Sequence, residues 1–283
     1  MKIAIVGTGP IGSTFAFQLA RKGHEVTVIA RGKRLEQLQA DQAIVTVDGQ
    51  RAAVSVSAAL DPAVAYDLVL VTVLESQVDV VLPALKASAA KTVMFMFNTF
   101  NSLSPLRDAV GKERFAFGFP AMFASLPGGK LKFTIVTRGQ ITLSTEAVWA
   151  KVFTDAGILT LVQDDMQSWL RTHAVMIVAV MGSASVAYAR RAGISLAEAT
   201  TYALAMREGF EVVRRLGNAV TPRAMAAMSR MPTFMLATLL WALSRLKVIR
   251  DLGGIGPSEP RTLIDAMSAA APEHSARLRA IRP

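Results

Sequence analysis

Cysteine is absent from the 283-residue chain, which excludes a disulfide framework, a thiolate-held metal and a cysteine nucleophile. Histidine occurs only 3 times, and no grouping of His, Asp and Glu has the spacing of a metal site, so no metal is expected. Long hydrophobic runs are missing as well. The longest nearly uncharged stretches, residues 173–189 and 231–244, have Arg171, Arg190, Arg230 and Arg245 close to their ends. A bilayer-crossing helix needs about 20 apolar residues, so both stretches read as buried helices and no membrane association is expected. The start, Met1-Lys2-Ile3-Ala4-Ile5-Val6-Gly7, has one lysine and an apolar run too short for a signal peptide. A cytoplasmic location is the expectation.

Acidic residues are the minority charge: 31 Lys and Arg against 21 Asp and Glu give a formal charge of +10. The cations are scattered, without an RRM signature, zinc-finger spacing or a basic-aromatic stripe, so nucleic acid is not expected. A positive field that draws in an anionic small molecule accounts for the excess. With 52% hydrophobic and 18% charged residues the chain is a folded one with a large core. Its length is near that at which chains divide into two domains.

The first part alternates strand and helix signals. Residues 2–6 and 25–30 are short apolar, β-branched runs with a helical stretch at 10–22 between them. Residues 43–47 and 52–57 flank Asp48-Gly49, a pair that favours a hairpin turn. Residues 67–73 and 92–97 are almost continuously apolar, as strands covered on both faces are, and a helix is expected at 77–87. Further strands are expected at 115–119, 132–137 and 140–143, and a closing helix at 148–156.

After Asp164, strand signals vanish and Ala, Met and Leu dominate. Helices are expected at 166–192, 196–216, 222–231, 233–249 and 260–270, with a loop at 251–260. Ser195 and Thr221 read as N-caps, and Gly193 and Gly217 as stops. No internal repeat interrupts the chain. The change of texture predicts an α/β protein: an N-terminal Rossmann-type parallel-sheet domain, residues 1–165, followed by an all-α C-terminal domain, residues 166–283.

Gly7-Thr8-Gly9-Pro10-Ile11-Gly12 is a G-x-G-x-x-G pattern that follows one strand, opens a helix and leads to a second strand. That context is what makes it a dinucleotide-binding signal. Gly7 permits the tight turn, Gly9 removes the Cβ that would meet a diphosphate, and Gly12 lets the helix pack closely. Main-chain N–H groups at the helix start then face the anion. An NAD site places Asp or Glu roughly 20 residues on. Here that stretch is Ala30-Arg31-Gly32-Lys33-Arg34, without a carboxylate. Arg31, whose planar fork binds phosphate at two points, is the candidate for a 2′-phosphate, and NADP is the expected cofactor. Lys33 and Arg34 read equally well as a solvated helix start.

With these features the chain resembles the ketopantoate reductase family. Matching positions are Gly7–Gly12, His24-Glu25-Val26 before the second strand, Arg31 after it, the 67–72 strand with Gln77 at the next helix, Asn98, and Trp169 in the second domain. The resemblance implies a Rossmann domain joined to a helical one and hydride transfer from NADPH to the ketone of a 2-oxo acid. It implies that Gln77 and Asn98 belong to the cofactor site and that Asn98 also holds substrate. A lysine two residues after the tryptophan would act as general acid; here that position is Arg171. Val175 stands where the family has an asparagine, Leu74 where it has a cofactor-domain lysine, and 257–260 where its C-terminal acidic motif would fall. An arginine stabilises an oxyanion or pairs with a carboxylate, but its pKa above about 12 makes it a poor proton donor. This argues against ketopantoate itself.

Other candidates read as structural. His173 is two residues from Arg171 and points about 200° away on a helix, so a packed histidine is the better reading than a catalytic acid. Ser258-Glu259-Pro260 has the chemistry of a helix start. Met225, Met228, Met231 and Met235 have helical spacing and suit a core or a homodimer surface. The expectation is an NADPH-dependent reductase of a small carbonyl compound, 2-oxo acid-like, bound between the domains, with Asn98 and Arg171 as catalytic residues. Two alternatives stand beside it: an NADP(H)-binding sensor without turnover, and an opine-, imine- or hydroxyacid-type dehydrogenase.

Overall fold

The computed structural model describes residues 1–256 and 258–283. They form two compact units, Met1–Asn98 with Leu103–Met166, and Thr99–Ser102 with Gln167–Pro283. Pro257, part of the 257–260 stretch considered above, lies outside the described residues.

The first unit is built on a sheet whose central strands, Leu68–Val71 and Val93–Met96, are apolar and buried on both faces. β1 (Lys2–Val6), β2 (Glu25–Ile29), β5 (Ser55–Ser57), β6 (Leu68–Val71), β7 (Val93–Met96), β8 (Phe115–Phe119), β11 (Thr142–Ser144) and β12 (Thr160–Val162) form one sheet in the order β12-β11-β8-β7-β6-β1-β2-β5. Every pair is parallel except β8 with β11. The chain proceeds from β1 outward through β2 to β5, then returns to β6 on the other side of β1. Such a reversal opens a crevice at the carboxyl ends of the strands.

Helices α1 (Pro10–Arg21), α2 (Gly32–Asp41), α3 (Val78–Ala87), α4 (Ser104–Val110) and α5 (Ala147–Asp155) complete the unit. Ile3, Ile5, Phe15, Leu19, Val28 and Phe153 lie in one buried cluster. The Phe15 and Phe153 rings meet edge to face at 5.1 Å.

The expected hairpin is shorter than its sequence pattern. β3 (Ala43–Val45) pairs with β4 (Arg51–Ala53), and the following residues leave it to join β2 as β5. Ala52, Val54 and Val56 alternate with the small or polar residues Arg51, Ala53, Ser55 and Ser57 across both pieces, so the pattern carries no mark of the change of partner. A second hairpin, β9 (Met122–Ser125) with β10 (Lys132–Ile135), has Phe133 of β10 against Phe17 of α1, ring centroids 5.8 Å apart.

The second unit is helical: α6 (Met166–Arg190), α7 (Leu196–Arg215), α8 (Arg223–Met228), α9 (Thr233–Leu243), α10 (Lys247–Leu252), α11 (Ser258–Ala270) and α12 (Ala276–Ala280). Phe100, Val175, Val178, Phe210, Leu236, Ile264 and Met267 share its buried core. α6 is long and apolar enough to cross a bilayer, yet 61% of its most apolar stretch is buried inside the protein. Core packing therefore accounts for its composition. α7 approaches α6 closely because Gly209 has no side chain; a Cβ there would lie 2.8 Å from Val175 Cγ1.

Ser195 caps α7 as expected: its hydroxyl accepts from the Glu198 N–H, while the Glu198 carboxylate accepts from the Ser195 N–H. Thr221 does not cap α8, since Pro222 holds that position and the Thr221 N–H donates to Thr172 Oγ1 at 3.2 Å.

The single helix expected at 233–249 is two. The break at Ser244 follows from what the serine does: its buried hydroxyl accepts from the Ile194 N–H at 3.1 Å and donates to the Trp241 carbonyl. Arg245 stacks on Trp241 beside it. The expected 251–260 loop is largely ordered, with a 3-10 turn at Gly253–Ile255 and α11 from Ser258. Gly253 sits where a Cβ would lie 2.3 Å from the Ala184 carbonyl oxygen of α6. The methionines of the 225–235 stretch are divided between α8, the turn after it and α9, and none is fully buried.

Candidate functional site

The turn from β1 to α1 is shaped by two contacts that only glycine allows. Gly7 has φ +96°, and a Cβ there would lie 2.7 Å from Val73 Cγ1 and 2.9 Å from the Val73 nitrogen. On Gly12 a Cβ would lie 2.0 Å from the Gly7 carbonyl oxygen and 2.4 Å from Thr72 Oγ1. Missing side chains thus bring α1, β1 and the end of β6 together. Thr72 Oγ1 donates to that same Gly7 carbonyl at 2.5 Å.

Gly9 is different in kind. A Cβ built on it meets nothing within 4 Å, because the main chain there faces an open crevice of about 450 Å³. The crevice sits at the carboxyl ends of β1, β2 and β6, and Val6, Gly7, Thr8, Gly9, Ile29, Ala30, Arg31, Arg34, Val73, Gln77, Val80, Val81 and Leu126 line it. α1 opens beside it with Gly9 as N-cap and Pro10 in the first turn, and that turn carries no acidic residue. The first N–H groups of a helix have no acceptor within it, and the positive end of the helix dipole favours an anion. Ile11 and Gly12 follow Pro10 in this turn.

Arg31 occupies the N-cap position of α2 and is exposed at the rim of the crevice. Its guanidinium has no hydrogen-bond or ion-pair partner among the described residues. Arg34 is half-buried, and most of its donors are engaged within the protein. Its Nε donates to the Thr8 carbonyl (3.2 Å), Nη1 to the Gly129 carbonyl (2.8 Å) and to Gln37 Oε1 (2.9 Å), and Nη2 to Ser13 Oγ (3.0 Å). Lys33 is exposed. Among the lining residues none is acidic, so nothing in the crevice wall repels a phosphate.

Gln77 ends a 3-10 turn, Glu75–Gln77, and stands at the N-cap position of α3 without a side-chain bond to that helix. Its Oε1 accepts from the Leu74 N–H at 3.2 Å, which holds the side chain at the crevice wall. Val80 and Val81 share that wall, and residues three and four apart share a helix face. The 77, 80, 81 spacing was therefore a usable signal for the apolar lining. Leu126 comes from the β9–β10 hairpin and had no local signal. Leu74, in the place of a family lysine, is 69% exposed.

Asn98 follows β7 at the carboxyl edge of the same sheet and is half-buried. Arg171 belongs to the helical unit. Its Nε donates to the Phe100 carbonyl at 3.1 Å, Nη1 donates to Asn218 Oδ1, and the guanidinium lies 5.4 Å from the centre of the Phe100 ring. Asn218 in turn donates to Ser168 Oγ. Two of the three guanidinium nitrogens are thus occupied in bracing the Thr99–Ser102 segment and residue 218. Burial lowers the pKa of this group. Val175, in the place of a family asparagine, is wholly buried in the helical core.

His173 is buried at 5% exposure, with its ring stacked on Trp169 at 4.8 Å and 8° between planes. Desolvation pushes its pKa down to about 3, so it is neutral near pH 7 and has no proton to give as an imidazolium. Among the described residues no three His, Asp or Glu side chains gather as metal ligands.

A sequence profile of the ketopantoate reductase PanE/ApbA family matches residues 3–148. No curated protein sequence matches the chain. The fold is similar to that of a PanE/ApbA family ketopantoate reductase from Ralstonia eutropha JMP134, with TM-score 0.73 and 22% identity over 100% of this chain and 96% of that one. It is similar to 2-dehydropantoate 2-reductase from Methylococcus capsulatus, with TM-score 0.70 and 16% identity over 100% and 94% of the two chains. A D-mandelate dehydrogenase solved with NADH and anilino(oxo)acetate aligns with TM-score 0.71 and 14% identity over 100% and 96%.

Two outcomes follow from this geometry. Gly12→Ala forces a methyl group into the Gly7 carbonyl and destabilises the protein by about 3 kcal/mol or more, lowering its melting temperature. Gly9→Ala, at φ −67° and facing open space, leaves the melting temperature within a degree or two but blocks ligand approach to the main chain. Equal melting temperatures for the two variants would refute this division of roles. The second concerns His173, whose pKa is about 3 folded against 6.5 unfolded. The unfolded state then binds the extra proton, so this contribution to stability is complete above pH 6.5 and is lost as pH falls toward 3. Denaturant unfolding between pH 7 and 4 should show a shallower pH dependence in His173→Gln, by up to about 1.4 kcal/mol per pH unit.

Proposed function

Since this chain belongs to the ketopantoate reductase PanE/ApbA family, we propose that it is an NADPH-dependent reductase of a small carbonyl compound of the 2-oxo acid type. The observation that carries the reading is the crevice in which the main chain of Gly9 is bare and Arg31 stands at the rim with no side-chain partner among the described residues. A diphosphate fits against the Gly9 main chain and the first amides of α1, where Thr8, Pro10 and Ile11 shape the turn between Gly7 and Gly12. The 2′-phosphate is the part of the ligand that Arg31 recognises. Gln77 and the apolar wall at Val80 and Val81 hold the dinucleotide from the opposite side. When bound, NADPH would supply a hydride for the carbonyl carbon.

In this reading Asn98 presents its side-chain amide to the nicotinamide and substrate. Arg171 is the candidate for the substrate carboxylate or for the charge that develops on the carbonyl oxygen. A guanidinium stabilises such charge without releasing a proton, so the proton that turns the alkoxide into the alcohol is taken from water. The protein acts as a homodimer in the cytoplasm, and its substrate is a small molecule rather than a nucleic acid.

The engagement of Arg171 with Phe100 and Asn218 favours a second reading, a dinucleotide-binding sensor without turnover. Incubation of the protein and NADPH with a panel of 2-oxo acids, with and without an amine, separates the readings by loss of absorbance at the reduced nicotinamide band. Oxidation that disappears in Asn98→Ala and Arg171→Ala supports the reductase, and oxidation that requires the amine supports an imine- or opine-forming enzyme.

Cofactor choice is tested by calorimetry. A charge-assisted bond to phosphate is worth about 1.5–3 kcal/mol, so Arg31→Ala should weaken NADPH binding roughly 10- to 100-fold and leave NADH binding unchanged. Tighter binding of NADH than NADPH by the unsubstituted protein would overturn the NADP assignment.

A further inference from the structure

We infer that Arg34 is a positioning residue, a strut that ties the glycine-rich loop to the tip of the β9–β10 hairpin and so sets the width of the dinucleotide crevice. The inference rests on the reading that this crevice takes a nicotinamide dinucleotide, and it assigns to a side chain of the crevice wall a role in shaping the site rather than in binding phosphate.

The geometry argues for it in three steps. Four of the five N–H donors of a guanidinium are used inside the protein: on Thr8, Gly129, Gln37 and Ser13. No fork remains for a phosphate, whereas neighbouring Arg31 keeps all of its donors. The acceptors also belong to separate walls. The Thr8 carbonyl is in the glycine-rich loop, Ser13 is in the first turns of α1, and the Gly129 carbonyl is 95 residues away in sequence. Ser13 Oγ itself donates to the Thr8 carbonyl at 3.2 Å, so loop, helix and arginine form one closed circuit.

The hairpin is held close at this point. Gly129 has φ +79°, and a Cβ there would lie 2.1 Å from the amide of Gln37. Leu126, just ahead of the turn, lines the crevice together with Thr8 and Gly9. A change in where the Gly129 carbonyl sits moves Leu126 relative to the glycine loop. Lysine cannot replace this arrangement, because one ammonium cannot span acceptors on three walls.

The test is calorimetric titration of NADPH and of NADH into the unsubstituted protein, Arg34→Ala and Arg34→Lys, with folding checked by circular dichroism. Positioning predicts that both dinucleotides weaken together, by tenfold or more in Arg34→Ala and less in Arg34→Lys, with the NADPH-to-NADH ratio unchanged. Loss confined to NADPH would make Arg34 a direct phosphate ligand and overturn the inference. Unchanged affinities in a folded variant, even one that melts at lower temperature, would reduce the residue to a stabilising contact and overturn it too. Should both variants fail to fold, amide exchange in the unsubstituted protein decides: NADPH must slow exchange across residues 127–130 as well as in the glycine loop, and an unaffected hairpin tip refutes the coupling. If the unsubstituted protein binds neither dinucleotide, the cofactor reading itself fails; binding with indifferent variants fails only the strut.

Discussion

The close approach of α1 to the strand before it governs the first unit. Gly12 lets the helix lie where any side chain would collide with the Gly7 carbonyl, and Gly7 lets the end of β6 press against the same turn. Once these three segments touch, the positive end of the helix is fixed at the carboxyl edge of the sheet. The strand order then reverses beside β1, so the crevice opens where the unsatisfied amides point. An anion-binding place therefore results from packing, before any charged side chain is counted.

Charge refines that place unevenly. Arg31 and Arg34 are three residues apart at the start of one helix, yet the first is exposed with no side-chain partner among the described residues and the second is half-buried in hydrogen bonds to protein oxygens. The same side-chain chemistry serves recognition in one case and architecture in the other. Arg171 shows the second behaviour as well, spending two nitrogens on Phe100 and Asn218. In each case the partners are main-chain, amide or hydroxyl oxygens rather than carboxylates, which fits a chain with ten more cations than anions.

What could be read in the sequence was what depends on neighbours in the chain. The glycine spacing, β1, α1, the buried strands β6 and β7 and the capped start of α7 rest on local pattern, and the structure has them within a few residues. Gly7, Thr8, Gly9, Arg31 and Gln77 line one crevice. The misses rest on distant partners. The role of Arg34 is set by Gly129, and the break between α9 and α10 is set by Ile194. The hairpin passes its second half to another sheet while its apolar alternation continues undisturbed. α2 gave little signal because Leu38 is its only fully buried residue among those described.

The excursion at Thr99–Ser102 has a topological consequence. The chain leaves the sheet unit after Asn98, contributes four residues to the helical unit and returns at Leu103, so the units are joined by three covalent crossings rather than one. Phe100, fully buried in the helical core, is therefore encoded in the middle of the other unit's sequence. A polypeptide beginning at residue 167 would inherit the helices with a void the size of a phenyl ring at their centre, so the helical unit is not inherited, shuffled or expressed whole by a cut at its main boundary.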